Sequence, residues 1–137
     1  MTTKVVKLGK KYQHNVENIL LEQETVQNVL NNTFSKYINE HNHNTMEYAV
    51  NTLVENYRYV PNDTILTEGR YVRYLDMKNP FEIHLRLGGF VLHDNGYTVT
   101  LKGNERSFRI SKRRSFFFSQ INDTDRIRAA VHDYIKN

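Results

Sequence analysis

Apolar residues in this chain recur with two periods, and the period changes near Pro61. From Thr25 the pattern is helical. Val26, Val29, Leu30, Thr33 and Tyr37 fall on one stripe, Phe34 and Ile38 widen it, and Thr25 is placed to cap a helix that should end near Asn39. A second helix is expected after Asn44 or Thr45, because Met46, Ala49, Val50, Leu53, Val54 and Tyr57 follow the i, i+3, i+4, i+7 rule up to Pro61. The short polar linker Asn39 to Asn44 predicts that the two helices fold back as an antiparallel hairpin.

Beyond Pro61 the period falls to two. Gly69 to Asp76 reads as a strand, and Lys78, Asn79 and Pro80 form a turn. Phe81 to Leu87 then alternates, with Phe81, Ile83, Leu85 and Leu87 on one face and Glu82, His84 and Arg86 on the other. Gly88-Gly89 marks a bulge or sharp bend before Phe90, Val91 and Leu92. Asn95-Gly96 is a hairpin signal, since both residues tolerate positive φ. After it Tyr97, Val99 and Leu101 point one way, and Phe108 and Ile110 alternate beyond the Gly103-Asn104 turn. Ser115 to Ser119 is the last strand, in which one of Phe116, Phe117 and Phe118 must face away from the other two. Asp123 or Thr124 caps a C-terminal helix with Ile127, Ala130, Val131, Tyr134 and Ile135 on its apolar face, placed to cover those phenylalanines. Residues 1 to 11 read as an extended basic arm rather than a short edge strand, and 15 to 24 fit neither period.

The expected fold is therefore α+β: an N-terminal helical hairpin packed with a small five-stranded antiparallel barrel and closed by a C-terminal helix. Residues 1–62 hold the arm and hairpin, and 63–137 the barrel and last helix. At 137 residues the two parts should form one cooperative unit.

Composition narrows the chemistry. There is no cysteine, which excludes disulfides, thiolate metal sites and thiol nucleophiles and fits a reducing compartment. No apolar run approaches the length needed to cross a membrane, so an intracellular, non-membrane protein is expected. Phosphate-cradling glycine loops, the dinucleotide fingerprint and the serine elbow are all missing, and no cofactor, small-molecule substrate or catalytic residue is expected. His41 and His43 could both reach a metal from a loop, but no carboxylate or cysteine cluster sits nearby to complete four ligands. Glu82 with His84, and His93 with Asp94, read as exposed strand pairs before they read as acid–base groups. The second helix carries Glu47 and Glu55 against Arg58 alone, which suits phosphate badly and argues against a DNA-reading helix.

Charge supplies the main functional signal. The net charge is +4. Residues 1–64 hold six Lys/Arg against seven Asp/Glu, and 65–137 hold thirteen against eight, so the excess lies in the β half. Lys102, Arg106, Arg109, Lys112, Arg113 and Arg114 cluster there with only Glu105 among them, and Arg73 and Arg86 are placed to join them. Clustered guanidinium forks suit phosphate, and nearby tyrosines suit bases. Nucleic acid is thus the first partner expected. A solvated basic face, or a charged edge that resists aggregation, accounts for the same residues equally well. A protein partner or homo-oligomer through a helical face is the other functional expectation.

The strings GRYVRYLD from Gly69, LRLGGFVL and YTVTLKGNERSFRI resemble the small Tudor-like barrel of proteins from giant nucleocytoplasmic DNA viruses, and the asparagine-rich composition agrees. The resemblance spans residues 69–119. It implies a fold and an origin, hence a host cell or virion setting, and no chemistry. Tudor-like barrels that read methylated side chains use an aromatic cage, for which Tyr71, Tyr74 and Tyr97 are the candidates.

Overall fold

The computed structural model describes residues 21–122. The segments expected to form a basic arm and a C-terminal helix lie outside the described residues. Among the described residues, two α-helices and a six-stranded antiparallel sheet make an α+β fold.

Helix α1 occupies 21–35. Thr25 does not cap it: its hydroxyl donates to the Leu21 carbonyl within the helix. Helix α2, Glu40–Leu53, begins earlier than its apolar stripe suggested, because Asn39 is the cap and its side-chain oxygen accepts from the Asn42 N–H at 2.8 Å. The polar run read as a linker is thus the first turn of α2. Asn42 is buried in it, donating to the carbonyls of Tyr37 and Pro80 and accepting from the Ile83 N–H. One amide side chain ties the helix turn to the entrance of the sheet.

Helix α2 also ends earlier than expected. Tyr57 fits the helical stripe by spacing, but Tyr57–Val60 extends as strand β1, where aromatic and β-branched residues alternate. The remaining strands are β2 (Tyr71–Asp76), β3 (His84–Asp94), β4 (Thr98–Lys102), β5 (Ser107–Ser111) and β6 (Ser115–Gln120), with a 3₁₀ turn, Lys112–Arg114, before β6. They lie in the order β1-β6-β2-β3-β4-β5. The closed five-stranded barrel is corrected to an open six-stranded sheet. Closure would pair β5 with the free side of β6, and β1 occupies that side.

The sheet is nonetheless bent, and β3 bends it. Its register slips twice, against β2 between Val72 and Tyr74 and against β4 between Val91 and His93, each time with the extra residue on β3. A Cβ on Gly88 would stand 1.9 Å from the Val72 carbonyl oxygen, and one on Gly89 2.4 Å from that of Lys102. Neighbouring backbone therefore occupies the space of a side chain on both sides of the bend. The bulge breaks the alternation expected for 81–87: Ile83 is buried, whereas Phe81 precedes the strand and Leu87 is 71% exposed.

Two apolar clusters sit on the two faces of the sheet. On one face Val26, Leu30 and Phe34 of α1 and Ala49 and Leu53 of α2 pack on Tyr57, Leu75, Ile83 and Phe118. On the other, Val72, Tyr74, Val91, Val99, Leu101 and Phe117 pack together with Leu66 from the β1–β2 loop. Phe117 faces the second cluster, and Phe116 and Phe118 face the helices. Each fully buried phenylalanine contributes about 1.5–3 kcal/mol, so the FFF run joins both cores through one strand.

Asn95-Gly96 does make a hairpin, by a different device. Gly96 alone has positive φ (+92°), while the Asn95 side chain accepts from the N–H groups of Tyr97 and Thr98. The loop is three residues long. Tyr97 therefore lies in it, 82% exposed, instead of lining the core with Val99 and Leu101.

Candidate nucleic-acid interface

The eight cations singled out by sequence fall into three groups. Lys112 and Arg73 are buried. Lys112 Nζ donates to Asp94 Oδ2 at 2.7 Å and to the Thr64 carbonyl at 2.9 Å, so it fastens the β1–β2 loop to the end of β3. Arg73 donates to the Arg86 carbonyl and to the Tyr48 hydroxyl, with its guanidinium 5.6 Å from the Tyr48 ring centre. That hydrogen bond, followed by the cation's charge, draws the Tyr48 hydroxyl below the ordinary tyrosine range. Lys112 and Arg73 are corrected from surface residues to scaffold residues.

Arg86 is exposed and paired with Asp76 at 3.2 Å. The remaining five, Lys102, Arg106, Arg109, Arg113 and Arg114, are exposed and have no carboxylate partner among the described residues. Strand alternation sets where they lie. Val99, Leu101, Phe108 and Ile110 pack into the second cluster, so Thr100, Lys102, Ser107 and Arg109 face outward. Arg109 stands beside Thr100, and Lys102 lies between Ser107 and Phe90. Arg106 sits in the β4–β5 turn, whose Gly103 N–H donates to the Arg106 carbonyl, and Arg113 and Arg114 lie in the 3₁₀ turn beyond β5. Lys102, Arg106 and Arg109 thus lie together on β4, the β4–β5 turn and β5, and Arg113 and Arg114 follow in the connection to β6, where the Arg114 carbonyl accepts from the Met77 N–H just past β2.

At the Lys102 end of this stripe an open cleft of about 380 Å³ is cut into the sheet at its bend. Gly88 and Gly89 form part of its lining, and Tyr71, Tyr74, Phe90 and Phe108 bring four aromatic rings to it. Tyr71 and Phe90 meet edge to face with centres 5.3 Å apart, and the Tyr71 hydroxyl donates to the Leu87 carbonyl at 2.6 Å. Burial raises the Tyr74 hydroxyl above the ordinary tyrosine range. Tyr71 and Tyr74 both line this cleft, and Tyr97 is not part of its lining. Phe90 and Phe108 were missed by sequence reasoning. Their signal was the Gly88-Gly89-Phe90 string, read there as geometry alone.

The described histidines do not assemble a metal centre. His41 turns toward the Ile83 carbonyl (3.0 Å) and the ring of His84 (5.0 Å between centres), while His43, two residues on in the same helix, projects elsewhere. His84 lies 3.6 Å from Glu82 in an exposed pair. Asp94 is buried and His93 exposed, so adjacent residues face opposite ways. No group of three His, Asp or Glu among the described residues is placed to hold a metal ion. No described helix is long and apolar enough to cross a membrane. No protein-family model, curated protein or solved structure matches the chain.

Proposed function

We propose that this protein is a non-enzymatic nucleic-acid-binding module, of a kind suited to handling or packaging a viral genome in the host cell or virion. One observation carries the reading: five exposed cations with no carboxylate partner among the described residues run from β4 and β5 into the 3₁₀ turn before β6, and their Lys102 end lies beside an aromatic-lined cleft. A row of cations suits a linear polyanion better than a compact acidic ligand, and aromatic rings at its end suit bases. The strand connectivity supports kinship with Tudor-like folds, since β2 to β5 form a meander and β6 returns after a 3₁₀ turn to pair with β2. Anisotropy titrations against single- and double-stranded DNA and RNA test the reading. Changing Arg109, Arg113 and Arg114 to Glu should abolish most of the binding, and unchanged binding would refute it.

A structural or scaffold role, through protein–protein or virion contacts, is the second reading. It draws on Ile38 and Phe81, exposed apolar side chains near the α1–α2 turn, where Phe81 stacks edge-on against Tyr37. Light scattering over a range of concentrations, with Ile38→Asp as control, separates it from the first: self-association lost in that variant favours the scaffold.

A further inference from the structure

We propose that the cleft at the Gly88-Gly89 bend takes one unstacked base of a single-stranded nucleic acid. This rests on the nucleic-acid reading above and adds which form of the polymer is held and where a base goes.

The walls fit a flat ring. Phe90 is 52% exposed on an otherwise ordered strand, and Tyr71 beside it is fixed by its hydroxyl bond to Leu87 before any ligand arrives. Such a ring pair offers a π face without an ordering cost on binding. The glycines let the neighbouring backbone approach closely at the bend, where a side chain on either would collide with it. The volume lies at the low end of the range for small-ligand sites, about 300–1,000 Å³, which suits one planar group and not a folded partner.

Charge selects the ligand class. Lys102 is both the cross-strand neighbour of Phe90 and part of the cleft wall, and Arg86 lines the same space. Arg86 keeps its pair with Asp76, so Lys102 supplies the net positive charge, which disfavours a cationic guest and suits the phosphates flanking a base. Arg106 stands in the turn whose Gly103 and Asn104 line the cleft, and Arg109 continues the positive stripe away from it along β5, so a strand with its base in the cleft can run its backbone along that strand. A base within a duplex is covered on both faces and cannot enter a side cleft without the cost of being extruded. The site therefore favours unpaired strands.

The experiment uses the full chain and a homopolymeric oligonucleotide of about 16 nucleotides, near the upper site size of small single-strand-binding β folds, together with its duplex. A parallel oligonucleotide carries the fluorescent base 2-aminopurine. Wild type should bind the single strand more tightly than the duplex and quench the 2-aminopurine. Phe90→Ala should weaken single-strand binding by about five- to a hundredfold, lose the quenching, and leave duplex binding and circular dichroism unchanged, while Phe90→Trp keeps both affinity and quenching. The inference is overturned if Phe90→Ala binds single strands as wild type does, or if wild type binds duplex equally well. In either case weakening by Arg109→Glu leaves the broader reading standing. Failure of wild type to bind any nucleic acid overturns both.

Discussion

Lys112 Nζ lies 2.7 Å from Asp94 Oδ2, and both side chains are almost wholly removed from solvent. The first residue of the basic KRR run is therefore a structural cation. Asp94 is fully engaged as well: its Oδ2 also accepts from the Leu66 N–H, and its Oδ1 from the Gly96 N–H. One carboxylate joins the β1–β2 loop, the β3–β4 turn and the 3₁₀ turn before β6.

Removing either partner leaves the other charge buried and alone. Lys112→Met and Asp94→Leu should each lower stability by about 3–5 kcal/mol, and the double change should recover much of the loss. Urea denaturation of the three variants measures this. Binding by whatever variant remains folded should be close to wild type, in contrast to changes at Arg109.

Acid should act through the same pair. Burial pushes the Asp94 carboxyl up, but the Leu66 N–H, the Lys112 ammonium and the Gly96 N–H outweigh it and hold the group below the ordinary aspartate range. A carboxyl depressed by folding contributes stability that is fully present above its unfolded value, about 3.9, and is lost as pH falls through the folded one. Urea midpoints should show no Asp94-dependent loss from pH 7 to 5 and a loss below about pH 4 that Asp94→Asn lacks.

Two glycines with positive φ should respond differently to alanine. At Gly96 (φ +92°) nothing lies within 4 Å of the added carbon, so Gly96→Ala should cost about 1–2 kcal/mol, the left-handed backbone penalty alone. At Gly88 (φ +70°) the same carbon meets the Val72 carbonyl oxygen. Gly88→Ala should cost several times more or prevent folding, as read by thermal unfolding.

Asn42→Ala should destabilise by about 1–3 kcal/mol for the stranded Ile83 N–H alone, with further loss at the Tyr37 and Pro80 carbonyls. Asn42→Asp keeps the acceptor for Ile83 but sets a buried carboxylate oxygen against the Tyr37 and Pro80 carbonyls, so at neutral pH it should cost at least as much. Thermal melts of both rank them.

Residues whose role follows from period were legible in the sequence. Leu30, Leu53, Val99 and Leu101 are buried as their spacing required, and the meander follows Asn95-Gly96 and Gly103. Residues whose role depends on a distant partner were not. Asn42 looked like linker because its hydrogen bonds reach 38 and 41 residues away, and Tyr57 fitted a helix because its strand partner lies in β6. Lys112 and Arg73 carry the same charge as Arg109, and only packing separates a buried cation from an exposed one. The bend at Gly88-Gly89 was visible, but the four rings it gathers come from three strands.

The salt dependence of single-strand binding tests the central claim most directly. Five engaged cations should give a slope of log K against log salt of about −3.5, at about −0.7 per phosphate neutralised. The triple change of Arg109, Arg113 and Arg114 to Glu should reduce its magnitude by at least about 2 while the protein stays folded. A slope near zero, or one that the triple change leaves intact, would contradict the assignment of these cations to a nucleic-acid interface.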